Sequence, residues 1–340
     1  MPKESKFVTV IVLNWNGKRF LQKCIGSLLD QEYLTYEVLL VDNASTDNSI
    51  EFVQGLFGNP PKLRILSLQE NYGFSKGNNI GIKSCTKSDY VIILNNDTEV
   101  EKNFVKKMVQ TAEISPEIGS VGPKILFNNK KMWFSQKFTN NGFIVPYFLQ
   151  TIMNKKLEEI SNSFNTNLSN SGCAVLYRKS IIDKIGGFDE DFWSNWEDWD
   201  LGYRINIAGF KSVCIPDPLV YHVGGGSEGS SPERFVRIYR NELFMYFKNY
   251  DTKSLLFRFP FLLFVFQPIY HLVWFLQRLL ARSPELYRGR EFDYFISRER
   301  ALFSFLCNLK IFIKKRYLVQ KIRKTSDDEI FDNTECKYII

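Results

Sequence analysis

Apolar residues fall in short unbroken runs through the first hundred positions. Each run is followed by a polar turn and then by apolar residues at helical spacing. Residues 8–13 form a β-branched run that predicts a buried strand, and Asn14-Trp15-Asn16-Gly17 predicts a turn. Phe20, Leu21, Cys24, Ile25, Leu28 and Leu29 then recur at the 3.6-residue period. The same alternation continues with strands over 38–41, 63–68 and 90–94 and helices over 50–57 and 73–83. Strands alternating with helices predict a mostly parallel sheet with helices on both faces. In such a sheet ligands bind beyond the carboxyl ends of the strands, which points to Asn14, to Asp42 and to the Asn95-Asn96-Asp97 turn. Each of these clusters alone also reads as an ordinary polar turn.

The pattern weakens over 128–169, where Asn, Lys and aromatics mix without a period, as expected of a variable region that shapes an acceptor site. Order returns with a strand over 172–177 and a helix over 180–185 that Gly186-Gly187 stops. A helix is predicted over 196–208, strands over 213–215 and 219–222, and a helix from Pro232 to position 250. The glycine-rich stretch 224–229 has the backbone freedom of a moving loop.

Positions 255–280 are the most apolar of the chain and long enough to span a bilayer. Arg258, Pro260, Gln267, Pro268, His271 and Gln277 interrupt them, so an in-plane or partly inserted helix pair is expected, with packing as ordinary core the alternative. An amphipathic helix is predicted over 301–317 and a frayed acidic tail from Asp327. Charge sharpens this picture. Residues 278–324 carry thirteen Lys/Arg and four acids, a balance that favours an anionic lipid surface. A nucleic-acid partner is not expected, because no base-stacking aromatics are interleaved with Lys/Arg in the remainder. The six cysteines form no CxxC pair, and nothing near Met1 resembles a secretory leader, so free thiols in the cytoplasm are expected. The expected divisions are 1–250 catalytic, 251–324 membrane-associating and 325–340 tail.

Asp97, at a strand end, can hold Mg²⁺ or Mn²⁺ through oxygen while the ion keeps water and phosphate ligands. His222, one of two histidines, can complete that site; a structural histidine is the competing reading. Glu197 and Asp198 open a helix. There they either cap it or supply the base that takes a proton from an attacking hydroxyl. Trp196 and Trp199 either stack on a sugar ring or fill core. Asp42 can accept from a nucleobase N–H or a ribose hydroxyl, and Asn71, Lys76 and Asn79 surround a helix start that favours phosphate.

Six segments, in order, resemble the family 2 glycosyltransferases: 10–17, 39–47, 71–79, 94–98, Gly-Gly-Phe-Asp-Glu over 186–190, and Glu-Asp-Trp-Asp-Leu over 197–201. The bacterial rhamnosyltransferase-like branch looks most similar. The resemblance implies an α/β GT-A fold and an inverting transfer from a UDP- or dTDP-type sugar, rhamnose among them. The acceptor would be a hydroxyl of a lipid-linked or cell-surface glycan precursor, with the enzyme peripheral on the inner face of the cell membrane. It implies that Asp198 is the catalytic aspartate, with Glu197 beside it, and that Asp42 meets the nucleobase. Asn14, Asn71, Lys76, Asn79 and Asn96 would line the donor, and Trp196 and Trp199 the sugar or acceptor. The family's Asp-x-Asp falls on Asn95-Asn96-Asp97. Asn95 stands where the first acid would be, so the metal set is Asp97 and His222 with Asn95 beside them. The alternative classes are a nucleotidyltransferase and a non-catalytic scaffold that binds glycan or membrane.

Overall fold

The computed structural model describes residues 6–127, 132–133, 165–224, 231–266 and 290–334. The predicted glycine-rich loop beyond Gly224, most of the 128–169 region, the 267–289 part of the apolar stretch and the last six residues lie outside them. The three expected βα units and the fourth strand form in the order read: β1 (Val8–Asn14), α1 (Lys18–Leu29), β2 (Tyr36–Asp42), α2 (Ser49–Phe57), β3 (Leu63–Ser67), α3 (Gly73–Ser84) and β4 (Tyr90–Asn95). These strands are parallel, in the spatial order β3-β2-β1-β4. The chain winds outward from β1 to β3, then returns to the other side of β1, so its direction reverses between β1 and β4. That reversal opens a crevice at their carboxyl ends.

Side-chain alternation explains why both faces of β1 are apolar. Val8, Val10 and Val12 pack with Leu21, Cys24, Ile25 and Leu28 of α1, whereas Ile11 joins Ile82 of α3 on the opposite face. Each such fully buried aliphatic side chain contributes about 1.5–3 kcal/mol.

The second half adds β5 (Thr98–Val100), α4 (Phe104–Ala112), β6 (Ile118–Phe127), β7 (Met132–Trp133), β8 (Asn165–Asn167), β9 (Ala174–Arg178), α5 (Lys179–Ile185), α6 (Glu197–Ile207) and β10 (Lys211–His222). The sheet continues past β4 as β9-β6-β10-β5, with β9 antiparallel to both neighbours. Strand β10 merges the two short strands expected. Its register with β6 breaks between Cys214 and Leu219, where Pro216 and Pro218 cannot donate to a ladder.

Helix α6 is buried on opposite sides. Leu201 and Ile205 face the sheet cluster; Tyr203 and Ile207 face a second cluster built with α7 (Pro232–Asn249), α8 (Thr252–Phe261), α9 (Arg290–Cys307), α10 (Leu309–Ile322) and α11 (Asp327–Asn333). The C-terminal helices therefore share a core with residues 168–250. The amphipathic helix expected over 301–317 is instead two helices that break at Asn308, the residue before α10. The tail expected to fray from Asp327 starts as α11, capped by Ser326, with Asp327 fully buried against Asp251 and Arg323. After Pro260, α8 widens into a π-type turn over Leu262–Phe266. No described helix is long and apolar enough to cross a membrane.

Candidate active site

The carboxyl ends of β1, β2 and β4 are tied by a chain of amides. Asn96 Nδ2 donates to Asn14 Oδ1 at 2.7 Å, and Asn14 Nδ2 donates to Asp42 Oδ1 at 3.1 Å and to Ser45 Oγ at 3.1 Å. Asp42 Oδ2 accepts from the Ser45 N–H at 3.0 Å. Asn14 is fully buried, and both ends of its amide are hydrogen-bonded, so it braces the crevice floor. Gly17 is required by this packing, since a Cβ there would lie 2.0 Å from Asn96 Nδ2 and 2.6 Å from Asn14 Oδ1.

Helix α3 starts against the Trp193 segment. Its first N–H groups are not open to phosphate: Gly73 N donates to Asn71 Oδ1, while Phe74 N and Ser75 N donate to the Trp193 carbonyl at 2.8 and 3.0 Å. Asn79 turns away from the crevice to the 186–190 turn. Its Nδ2 donates to Phe188 O and Glu190 Oε1, and its Oδ1 accepts from Phe188 N. Lys76 stacks its ammonium 4.0 Å from the Tyr72 ring centroid.

Asp97 and His222 do meet. Antiparallel pairing of β5 with β10 sets His222 opposite Thr98, and Val223 N donates to Asp97 O. His222 Nε2 then lies 3.0 Å from Asp97 Oδ1, with both side chains largely buried. No cluster of three or more His, Cys, Asp or Glu is found among the described residues. One carboxylate and one imidazole fit an ion such as Mn²⁺, which would draw its other ligands from water and a diphosphate. Asn95 ends β4, its carbonyl accepting from Thr98 Oγ1 at 2.6 Å.

Asp198 stands in the first turn of α6, against the adjoining 171–173 segment. Its Oδ2 accepts from the Gly172 N–H at 2.9 Å and its Oδ1 from Trp199 N–H at 2.8 Å. One residue on, the Cys173 carbonyl accepts from Asn95 N at 2.8 Å, so the loop that holds Asp198 is joined to the turn that carries Asp97. The Cys173 thiol is pushed well up by burial and then by the charges of Asp97, Cys24 and Asp198, which leaves that sulfur an inert thiol. Burial likewise pushes Cys24 up to about 12. Glu197 is buried, and its charge with that of Asp198 adds to burial in raising the Tyr177 phenol.

The helix that carries Asp198 begins one residue later than its pattern predicts, because Trp196 is left-handed. Trp193, Asn195 and Trp196 have φ of 62°, 68° and 74°. A non-glycine residue held there costs about 1–3 kcal/mol, and such residues cluster at functional sites. The Trp196 and Trp199 rings lie 5.8 Å apart and pack on the second core cluster, with Trp196 6.3 Å from Tyr246, so they serve as partly buried core more than as an open platform. Trp193 is the exposed aromatic, at 39%, and covers Gly73.

Four residues that pattern reading passes over hold this loop. Asn241 of α7 donates to three loop carbonyls, and Arg240 donates to Asp191 O. Buried Lys248 bridges Asp189 and Asp200 at 2.7 and 2.6 Å, and Lys315 of α10 also pairs with Asp189 and Asp191. The one available signal was Lys248 itself, a lone cation among aromatics over 244–250.

The mixed α/β sheet flanked by helices and continued by C-terminal helices is a GT-A fold. The chain belongs to glycosyl transferase family 2, whose pattern matches residues 9–186. It is 27% identical over 228 residues to the glycosyltransferase GlyG of Streptococcus pneumoniae, covering 66% of this chain and 73% of that protein. It is 23% identical over 275 residues to the poly-beta-1,6-N-acetyl-D-glucosamine synthase of Staphylococcus aureus, covering 80% of this chain but only 63% of the synthase. Among solved structures, the Pyrobaculum calidifontis mannosyltransferase PcManGT, in complex with GDP-Man and Mn²⁺, superposes with a TM-score of 0.58 at 16% identity, over 90% of this chain and 88% of that one. Residues 1–349 of S. aureus TarS, in complex with UDP-GlcNAc, give 0.55 at 17% identity, over 93% and 90%. The family assignment replaces the nucleotidyltransferase and scaffold alternatives.

Proposed function

We propose that the protein moves a hexose from a pyrimidine nucleoside diphosphate to a hydroxyl of a glycan or lipid-linked acceptor, with inversion at the anomeric carbon. The observation that carries this reading is the hydrogen bond from Asn95 N to Cys173 O. It joins the turn that carries Asp97, the partner of His222, to the segment whose Gly172 N–H binds Asp198, which supports reading the three as one site. Asp198 is the base: it takes the proton as the acceptor oxygen bonds to the anomeric carbon, and the sugar–phosphate bond breaks with its electron pair leaving on the nucleoside diphosphate. Two backbone N–H groups orient its carboxylate before acceptor binds. Glu197, beside it, is buried. Asp97 and His222 would hold a divalent ion, with Asn95 and Asn96 on the same turn, and the ion would neutralise the departing diphosphate. Asp42, at the end of β2, is the acid for the nucleobase or ribose.

The donor's base and sugar are open to direct test. Thermal shift with UDP-, dTDP- and GDP-sugars, dTDP-rhamnose and UDP-GlcNAc included, with and without Mn²⁺, reads binding to the native state as a raised Tm. A metal-dependent rise with one pyrimidine nucleotide is expected; no rise with any of them would refute the donor class.

We further infer peripheral attachment to an anionic membrane. Phe257, Phe264 and Phe303 are more than two-thirds exposed on the helical extension, and the basic balance of 278–324 complements anionic headgroups. Anionic vesicles should retain the protein better than neutral ones, with partial release in high salt. Equal retention by both, resistant to salt, would count against it.

A further inference from the structure

Asn241 lies inside α7 with none of its surface exposed. Its Nδ2 is 2.8 Å from the Phe192 carbonyl, 3.1 Å from that of Ser194 and 2.8 Å from that of Asn195. Two amide hydrogens thus face three acceptors, and the side chain bridges the whole turn rather than capping one group. Its orientation is fixed from the other end, because Oδ1 accepts from Arg240 Nε and Nη2 at 3.1 and 2.7 Å. Asparagine inside a helix ordinarily competes for nearby backbone; here it leaves its own helix altogether. The segment it grips is the one with three left-handed non-glycine residues, a conformation that persists only when its surroundings over-determine it. From the opposite side, α3 grips the same segment through the Trp193 carbonyl. Directly after it come Glu197 and Asp198.

We propose that Asn241 is a positioning residue for glycosyl transfer. It holds the backbone of residues 192–195 on the left-handed path that starts α6 at Glu197, and so sets the Asp198 carboxylate against the Gly172 N–H. It acts through the loop and not on the substrate. The inference rests on Asp198 being the base, and it adds the structural reason why that carboxylate is presented at all.

The test uses the full chain with Asn241→Ala and Asn241→Ser. Hydrogen exchange of residues 190–202 reads the loop whether or not the protein is active. Calorimetric titration with UDP and Mn²⁺ counts folded donor sites, so that kcat is expressed per site. Asn241→Ala should speed exchange in 190–202 while leaving β1 and β4 protected. It should lower kcat per site about 100-fold, the scale of a 1 Å misplacement, with donor KM held within roughly threefold. Adding Asn195→Gly, which accepts positive φ without strain, should restore part of that kcat. A purely structural role predicts a lower Tm and fewer sites but unchanged kcat per site, and that result overturns the proposal, as does absence of rescue. If Asn241→Ala does not fold, Asn241→Ser, with one donor in place of two, reads the same quantities; full kcat per site there overturns it. A wild-type protein that turns over no nucleotide sugar would sink the transferase reading while leaving the exchange result to stand. An active wild type with unchanged exchange in Asn241→Ala would sink the positioning role alone.

Discussion

Asp97 and Asp198 are held by different kinds of structure. Asp97 follows directly from β4, and its partner His222 is delivered by strand register, so regular hydrogen bonding between β5 and β10 places the pair. Asp198 follows a turn that no strand pairing places and that side chains and helix ends must hold. Three left-handed residues precede it, and its anchors come from Gly172, Asn241 and the charges around Asp189. The position of Asp97, the proposed metal ligand, is thus a by-product of the sheet, whereas that of Asp198, the proposed base, has to be enforced by contacts from far along the chain. Damage to the two regions should differ accordingly.

The largest effect is expected at the enforced side. Asp198→Asn should cut transfer by about 10²–10⁴-fold while UDP with Mn²⁺ still binds, measured by initial rates and calorimetry on one preparation. Normal turnover would remove Asp198 as base, and loss in Glu197→Gln alone would move the role by one residue.

Next comes the charge cluster behind it. Lys248→Met leaves Asp189 and Asp200 buried without their shared cation, which should cost about 3–5 kcal/mol in urea unfolding. The same cluster has a pH signature. Burial pushes the Asp189 carboxyl up, but Lys248 and Lys315 outweigh it and hold it well below the usual range. A carboxyl depressed in the folded state adds stability above its unfolded pKa of about 3.9, and that stability is lost as pH falls further. Acid unfolding below about pH 4 should therefore be steeper in the wild type than in Lys248→Met.

On the sheet side, Asp97→Ala and His222→Ala should each weaken Mn²⁺-dependent UDP binding by at least the roughly 10–100-fold seen when a metal ligand loses a supporting partner. Stability should change little in comparison. If His222→Ala binds as the wild type does, the histidine is structural.

Smallest is Gly17→Ala, which drives a methyl into the Asn96–Asn14 contact. A loss of about 1–3 kcal/mol by chemical denaturation is expected. An unchanged midpoint would mean that Asn96 swings away at no cost.

The same division decides what could be read from the chain beforehand. Period-2 and period-3.6 patterns over residues 8–95 locate β1 to β4 because those strands are buried on both faces by nearby helices, and the polar residues at their ends follow by rule. The 197–201 motif flags Asp198 by resemblance. Its support was not legible, since Asn241 and Lys315 are ordinary polar residues in helical stretches until folding sets them against the 189–195 segment. Asn14 and Asn79 were read as donor contacts because strand-end and helix-start positions suggest it. In the fold both amides are also hydrogen-bonded to neighbouring residues, a bracing role that position alone does not reveal. The helix break at Asn308 escaped for the opposite reason: apolar spacing runs through it without a glycine or proline to mark it.

The link between Lys315 and the Asp189 turn also orders events in time. During synthesis, position 315 is added 126 residues after position 189, a gap of roughly 6–25 s at bacterial to slow elongation rates. Once position 222 has been added, early in that interval, the nascent sheet has every residue it needs to pair β5 with β10 and set His222 against Asp97. The Asp189 turn must wait for a helix that has not yet been translated. A growing chain would therefore gain the capacity to hold a nucleotide before it gains the capacity to use one.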